Sequence, residues 1–241
     1  MAPVLNEERK IGDVVRRMPR DVVDEVLVID DGSTDGSADV ARRGGATVLA
    51  LGQTVGVGAA IREGYRYAVK HGFDVAVVVA GNNKDAPEDI ATLLEPIADG
   101  RADFVQGSRW LERQADYGPM PAYRKVATRL HPLLFSLAAR KRVTDSTNGF
   151  RALRTSVLAD GRIDLDQPWL DEYELEPYLY LQAIRTGYRV VEVPATKVYP
   201  PKHLGQTKMK PITGWWSMLR PIVYVGLGLK RRPSRPSRRA S

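Results

Sequence analysis

The 241 residues include no cysteine, which excludes disulfide frameworks and thiolate metal sites. A chain of this kind suits a reducing cytoplasm. Long hydrophobic runs are missing as well. The most apolar stretch, residues 212–229, is interrupted by Arg220 and Pro221 and falls short of the ~20 apolar residues that span a bilayer. No apolar run follows the first charges, so no signal peptide is read there. The first strand-turn lacks the glycine fingerprint of a dinucleotide site, which argues against a dehydrogenase. No base-stacking module is evident, which argues against a nucleic-acid partner.

The excess of positive charge is local. Of 36 basic residues, six (Lys230, Arg231, Arg232, Arg235, Arg238 and Arg239) lie in residues 230–241 with no acidic neighbour, leaving 30 basic against 29 acidic residues elsewhere. A Ser/Pro/Arg tail cannot build a core and reads as disordered. It is either a solubilising end or a cluster drawn to anionic lipid head groups, at about 1 kcal/mol per basic residue. Residues 212–229, with Trp215 and Trp216, read either as an interfacial segment with tryptophans at head-group depth or as cover for the core.

A composition of 43% hydrophobic and 27% charged residues suits a globular α/β domain. Val26-Leu27-Val28-Ile29 reads as a strand buried on both faces, stopping at Asp30-Asp31-Gly32-Ser33. Further strands are expected at 48–51, 75–79, 104–106 and 190–193. Helices are expected at 37–43, 59–71, from Pro87 onward, at 123–140 with a break near Pro132, and at 175–186. Residues 144–151 read as a polar loop. The βαβαβ series predicts a doubly wound, mostly parallel sheet with ligand at the carboxyl ends of its strands.

Several short motifs occupy those strand ends. They are Pro3-Val4-Leu5-Asn6-Glu7-Glu8, Asp30-Asp31-Gly32-Ser33-Thr34-Asp35, Gly56-Val57-Gly58-Ala59-Ala60, Gly107-Ser108-Arg109, residues 145–151 (DSTNGFR) and residues 187–194 (GYRVVEVP). In order and spacing they resemble family-2 glycosyltransferases of the GT-A fold, in the branch of dolichyl- and polyprenyl-phosphate mannose and glucose synthases. The resemblance runs from about residue 3 to residue 210. It implies a GT-A domain over 1–210, with 211–229 as the interfacial segment and 230–241 as the basic tail. The implied partners are a nucleotide-diphospho-sugar donor, a lipid phosphate acceptor and the cytoplasmic face of a membrane.

By position the resemblance also implies roles. Pro3, Glu7 and Asp31 hold the nucleoside, with Asp30 beside them. Gly56 and Gly58 let the backbone pass close to the donor, and Arg109 and Arg151 face phosphates. Lys208 matches a basic loop that closes over the site; the bland reading of Lys202 and Lys208 is solvated loop charge. Asp145, Asp171 and Glu172 are candidates for a base, should the acceptor be a hydroxyl. The acidic residues at 171–174 equally suit a helix start.

Three departures qualify the resemblance. Relatives carry Asp-x-Asp at the end of the third strand to bind Mg²⁺ or Mn²⁺; here those positions hold Ala80 and Asn82, with Asp85 the nearest carboxylate. Asn82 and Asp85 are thus the metal candidates, and with carboxylates reduced the metal requirement is expected to be weak or absent. Lys84 in the same loop could supply the positive charge. The strand before Pro3 is short, and Thr54 and Val55 precede Gly56 where relatives carry polar and basic residues. Two other readings stay open: transfer to a soluble hydroxyl acceptor, and nucleotide-sugar binding without turnover.

Overall fold

The four residues of β2 (Leu27–Asp30) are all buried, and the fold is organised around them. In the computed structural model, residues 1–112, 118–199, 209 and 213–229 are described. β2 pairs in parallel with β1 (Ala2–Val4) and β3 (Thr47–Ala50), Pro3 opposite Ile29 and Ile29 opposite Leu49. Thus a three-residue strand does precede the loop at Asn6.

A second sheet has the order β4-β6-β5-β7, from β4 (Val75–Val78), β6 (Arg151–Arg154), β5 (Phe104–Ser108) and β7 (Val190–Pro194). The Val79 N–H donates to Met1 O at 3.0 Å, which joins this sheet to the β1 side of the first. β5 and β7 run parallel, but β6 is antiparallel to both of its neighbours. The sequence RALR shows no apolar run, so β6 was not foreseen. Its burial comes from being central: Ala152 and Leu153 are fully enclosed.

Helices cover both faces. α1 (Glu8–Arg16), α2 (Ser37–Arg43) and α4 (Ile90–Ala98) lie among the apolar cluster containing Ile11, Val14, Leu93 and Ile97. α3 (Val57–Lys70), α5 (Ala122–Ala139), the short α6 (Ser156–Ala159) and α7 (Leu175–Arg185) enclose the other, around Phe104, Phe135, Leu153 and Tyr180. Phe104 and Tyr180 stack at 5.3 Å and Phe135 meets Tyr180 at 4.9 Å.

Contrary to the expected break, α5 runs through Pro132 without interruption and ends at Arg140 in a left-handed conformation, φ 52°. Proline removes one N–H and crowds the preceding turn; here the ring is buried, and the Ser136 hydroxyl donates to Pro132 O at 2.6 Å. α8 (Thr213–Gly226) falls in the apolar stretch 212–229 and packs on α5 and α7. It buries Met218 and Val225 while leaving Trp216 48% exposed, so one side of the segment does cover the core. Among the described residues no helix is long and apolar enough to cross a membrane. Lys202, Lys208 and the basic tail lie outside the described residues.

Candidate active site

A cleft of about 540 Å³ opens at the carboxyl ends of β1, β2 and β4, where an open α/β sheet ordinarily holds its ligand. Its walls come from strand-end loops tied to one another. The Thr34 N–H donates to Asn6 Oδ1 at 2.8 Å, and the Asn6 and Glu7 N–H groups donate to the Ser33 and Ser37 hydroxyls at 2.9 and 2.8 Å. Asn6 adopts a left-handed φ of 50° to make this crossing. Pro3, Glu7 and Asp31 line the cleft, and Lys10 pairs with Glu7 at 2.7 Å. The neighbouring Asp30 does not line it: its Oδ1 accepts the Ser33 N–H at 3.0 Å and closes the turn.

Asp31 reaches across instead. Its carboxylate accepts the N–H groups of Val55 and Gly56 at 2.7 and 3.2 Å, fixing the glycine turn against the end of β2. Burial pushes the Asp31 carboxyl upward, the two N–H groups oppose this, and Asp30 adds to it.

Gly56, expected with Gly58 to let the backbone pass close to the donor, lines the cleft, and both glycines also make room for the chain itself. A Cβ on Gly56 would sit 2.4 Å from Asp171 O, and one on Gly58 would sit 2.1 Å from Leu170 O and 2.3 Å from Glu172 O. Gly56 also holds φ 102°, a conformation favouring glycine. The loop they admit is held by the Ala59 N–H on Asp171 O at 3.0 Å and by Arg62 on the Asp171 carboxylate at 2.6 Å. Asp171 is therefore an anchor and not a poised base. Glu172, next in sequence, is exposed and lines the cleft, as does Glu176.

The loop 144–151 forms a buried network below. Glu192 accepts the N–H groups of Thr144 and Asp145, at 2.8 and 2.9 Å. Asp145, fully enclosed, accepts Arg109 Nε at 2.7 Å, and Arg109 is itself 2% exposed. Arg109 reaches the cleft wall beside Thr147; Asp145 does not line the cleft, and its carboxylate serves Arg109. Arg151 also departs from expectation. Its guanidinium donates to Asn148 O and Glu176 O, both at 2.8 Å, and meets the Glu176 carboxylate at 3.3 Å. It does not line the cleft and so faces no phosphate there.

The loop after β4 carries the strongest charge signal. Gly81 must be glycine, since a Cβ would meet Val4 Cγ1 at 2.5 Å and Pro3 O at 2.6 Å. Asp85 is buried: its Oδ2 accepts the Ala80 N–H at 2.8 Å, and its Oδ1 pairs with Lys197, which also donates to Asn148 Oδ1 at 2.8 Å. The Lys84 Nζ lies 5.2 Å from the Tyr199 ring centroid, and the Arg124 guanidinium carbon lies 5.7 Å from the same centroid. Lys84, Lys197, Arg109, Arg124 and Lys10 all line the cleft. Burial, followed by the charges of Lys197, Arg124 and Lys10, brings the Lys84 ammonium down to about 7, against a raising influence from Asp85.

These residues do not fit a protein-held divalent cation. Asp85 is committed to Lys197 and Ala80, and among the described residues no cluster of three His, Cys, Asp or Glu could hold a metal. What remains is Asn82 Oδ1, a buried acceptor without a hydrogen-bond partner, in a loop facing lysines. Buried polar atoms are ordinarily satisfied, so this oxygen has room for a further hydrogen bond. Lys10, Arg124, Lys197 and Tyr199 went unnoticed in the sequence because they reach the cleft from α1, α5 and the segment after β7.

Residues 1–162 match the glycosyl transferase family 2 profile. The chain belongs to this family. It is 34% identical over 217 residues to an undecaprenyl-phosphate mannosyltransferase of Micrococcus luteus, covering 86% of this chain and 85% of that one. It is also similar to a polyprenol monophosphomannose synthase of Mycolicibacterium smegmatis (29% identity; 86% and 78% covered). A third relative is a UDP-N-acetylglucosamine–dolichyl-phosphate N-acetylglucosaminyltransferase of Methanococcus voltae (28%; 82% and 84%). Among solved structures, glucosyl-3-phosphoglycerate synthase of Mycobacterium tuberculosis superposes with a TM-score of 0.67 at 21% identity, covering 94% of this chain and 78% of that one. That synthase has been crystallised with Mn²⁺ and UDP and with Mg²⁺ and UDP. The family-2 chain is thus a glycosyltransferase with the α/β GT-A fold.

Proposed function

We propose that this family-2 enzyme transfers a hexosyl group from a nucleoside diphosphate to a polyprenyl phosphate, inverting the anomeric centre, from a peripheral position on the cytoplasmic face of a membrane. The observation that carries the reading is the cation-lined cleft at the ends of β1, β2 and β4, which Asp31 and Glu7 line together with Lys84, Lys197, Arg109 and Arg124. An acceptor phosphate oxygen forms the new bond to the anomeric carbon while the bond from that carbon to the diphosphate oxygen breaks. The electron pair leaves with the nucleoside diphosphate. Preorganised cations stabilise that departing charge without rearranging. A phosphate acceptor is already anionic and needs no base, in keeping with Asp145 and Asp171 being occupied by Arg109 and Arg62.

Lys84 lies in the loop where relatives in this branch carry Asp-x-Asp, and Lys197 pairs with Asp85 of that loop; on this reading the lysines supply the charge of a divalent ion, leaving a weak or absent metal requirement. Asn82 Oδ1 contributes an acceptor to the donor. One observation favours a second reading: Glu172 and Glu176 line the cleft and could take a proton from a hydroxyl acceptor. The test incubates purified protein with undecaprenyl phosphate and a panel of UDP- and GDP-sugars, in Mg²⁺ or in EDTA, and analyses products by mass spectrometry. A glycosyl-phospholipid formed in EDTA supports both parts of the proposal. Turnover only with hydroxyl acceptors removes the lipid-phosphate part, and turnover only with added metal removes the lysine part.

A further inference from the structure

α5 buries one side and bares an apolar stripe on the other. The inner side buries Thr128, His131, Phe135 and Ala139 against the core, and the His131 ring bonds Ser146 Oγ at 2.7 Å and Met218 O at 3.0 Å. The outer side carries Tyr123, Val126, Leu130, Leu133, Leu134 and Leu137, all between 49% and 77% exposed. At 3.6 residues per turn these six fall within one arc of about 100°. Soluble monomers rarely leave contiguous apolar patches bare.

Charge along this helix has one sign. Between residues 122 and 142 there are six basic residues and no acidic one, and Lys125, Arg129, Arg140 and Arg142 are exposed. α5 packs on α8, where Trp216 is 48% exposed and Leu227, just beyond it, 72%. Opposite sides of these two helices supply Arg124, Thr128, Trp215 and Met218 to the cleft.

We propose that the outer face of α5, together with Trp216 and Leu227, is the surface by which the protein docks into an anionic lipid bilayer. Apolar side chains enter the boundary of the acyl region while the flanking bases meet head groups, as in interfacial helices. A second copy of the chain is the weaker occupant. A two-fold interface places the same patch on both partners and would bring the basic flanks face to face. The inference rests on the lipid-phosphate reading only for its purpose, since docking is measured without turnover.

The absence of cysteine allows a direct test. Leu137→Cys in the full chain, labelled with a polarity-sensitive fluorophore, is mixed with phosphatidylglycerol–phosphatidylcholine vesicles; Lys70→Cys on α3 serves as the control. The expected result is a blue shift and quenching by a bilayer-embedded quencher at position 137 and neither at 70. The combined Leu130→Glu, Leu133→Glu and Leu137→Glu variant should lose vesicle affinity by roughly tenfold or more while its nucleotide affinity stays unchanged, which shows that it folds. Vesicle sedimentation with an unshifted label at 137 would overturn the proposal in favour of attachment elsewhere. A dimer dissolved by the triple substitution, with vesicle binding intact, would overturn it in favour of a second copy. Docking without glycolipid synthesis would leave this surface standing and remove the acceptor reading; synthesis with an unshifted label would do the reverse.

Discussion

Lys84→Met separates the two consequences of burying a lysine among cations. Methionine keeps most of the side chain's volume and removes the charge. The Lys84 ammonium falls from its ordinary 10.5 to about 7, which corresponds to a cost on the order of 5 kcal/mol for holding the charge there. Because the folded protein releases this proton more readily than the unfolded chain, the unfolded state binds more protons between about pH 7 and 10.5. Stability contributed by this position therefore rises with pH across that window, and the full penalty is present below it. Lys84→Met should raise the unfolding free energy at pH 6 by a few kcal/mol, on the order of the charging cost less losses from imperfect packing, and the gain should shrink toward pH 10. Activity should move the opposite way. Removing one preorganised electrostatic donor to a developing anion lowers kcat by about 10²–10³. Urea unfolding at pH 6 and pH 9.5, with donor turnover measured in EDTA, reads both effects. A variant that is no more stable at pH 6, or that turns over donor like the parent, would refute the assignment of Lys84 to the departing diphosphate.

Three further outcomes follow from the same geometry. Above pH 7 the Lys84 amine is partly neutral, so an arriving diphosphate should draw a proton onto it. Calorimetry of nucleoside diphosphate binding at pH 8, in buffers of different ionisation enthalpy, should show net proton uptake that Lys84→Met abolishes. Asp145→Asn leaves the enclosed Arg109 guanidinium without its charge partner; breaking a buried pair in this way costs about 3–5 kcal/mol, to be read by denaturant midpoint. Gly58→Ala drives a methyl group into the carbonyls of Leu170 and Glu172 and should destabilise by about 1–3 kcal/mol, with donor affinity lowered because the 170–172 loop must move; unfolding and nucleotide titration check the two parts.

Much of this site could be read from the sequence because its backbone parts are local. Asp30-Asp31-Gly32-Ser33 follows an unmistakable buried strand, and helix α2 was bounded correctly by its composition. What was hidden depends on pairings distant in sequence. Nothing near Asp85 announces that Lys197, 112 residues later, will neutralise it. Nothing near Gly58 announces that carbonyls at 170–172 need the space. Arg151 reads as a phosphate ligand only until Asn148, Gly149 and Glu176 are seen to take its donors. The same limit applies to α5, where only the packing shows that Leu130, Leu133 and Leu137 are exposed.

The bare face of α5 and the cation cluster belong to one mechanical arrangement. Arg124 and Thr128 face the cleft from the helix whose opposite side bears Leu130, Leu133 and Leu137. An α-helix with side chains is about 10 Å across, so a bilayer meeting the outer face would lie roughly one helix diameter from the cations. A lipid phosphate would then need to rise by about that much while its chain remained largely in the membrane. This makes the acceptor's accessibility depend on the docking face and its reactivity depend on the lysines. The triple glutamate variant should therefore lose activity toward vesicle-embedded polyprenyl phosphate while keeping it toward a short-chain, water-soluble analogue, whereas Lys84→Met should lose both alike. Equal loss of both activities in the glutamate variant would refute this division of labour between the two sides of α5.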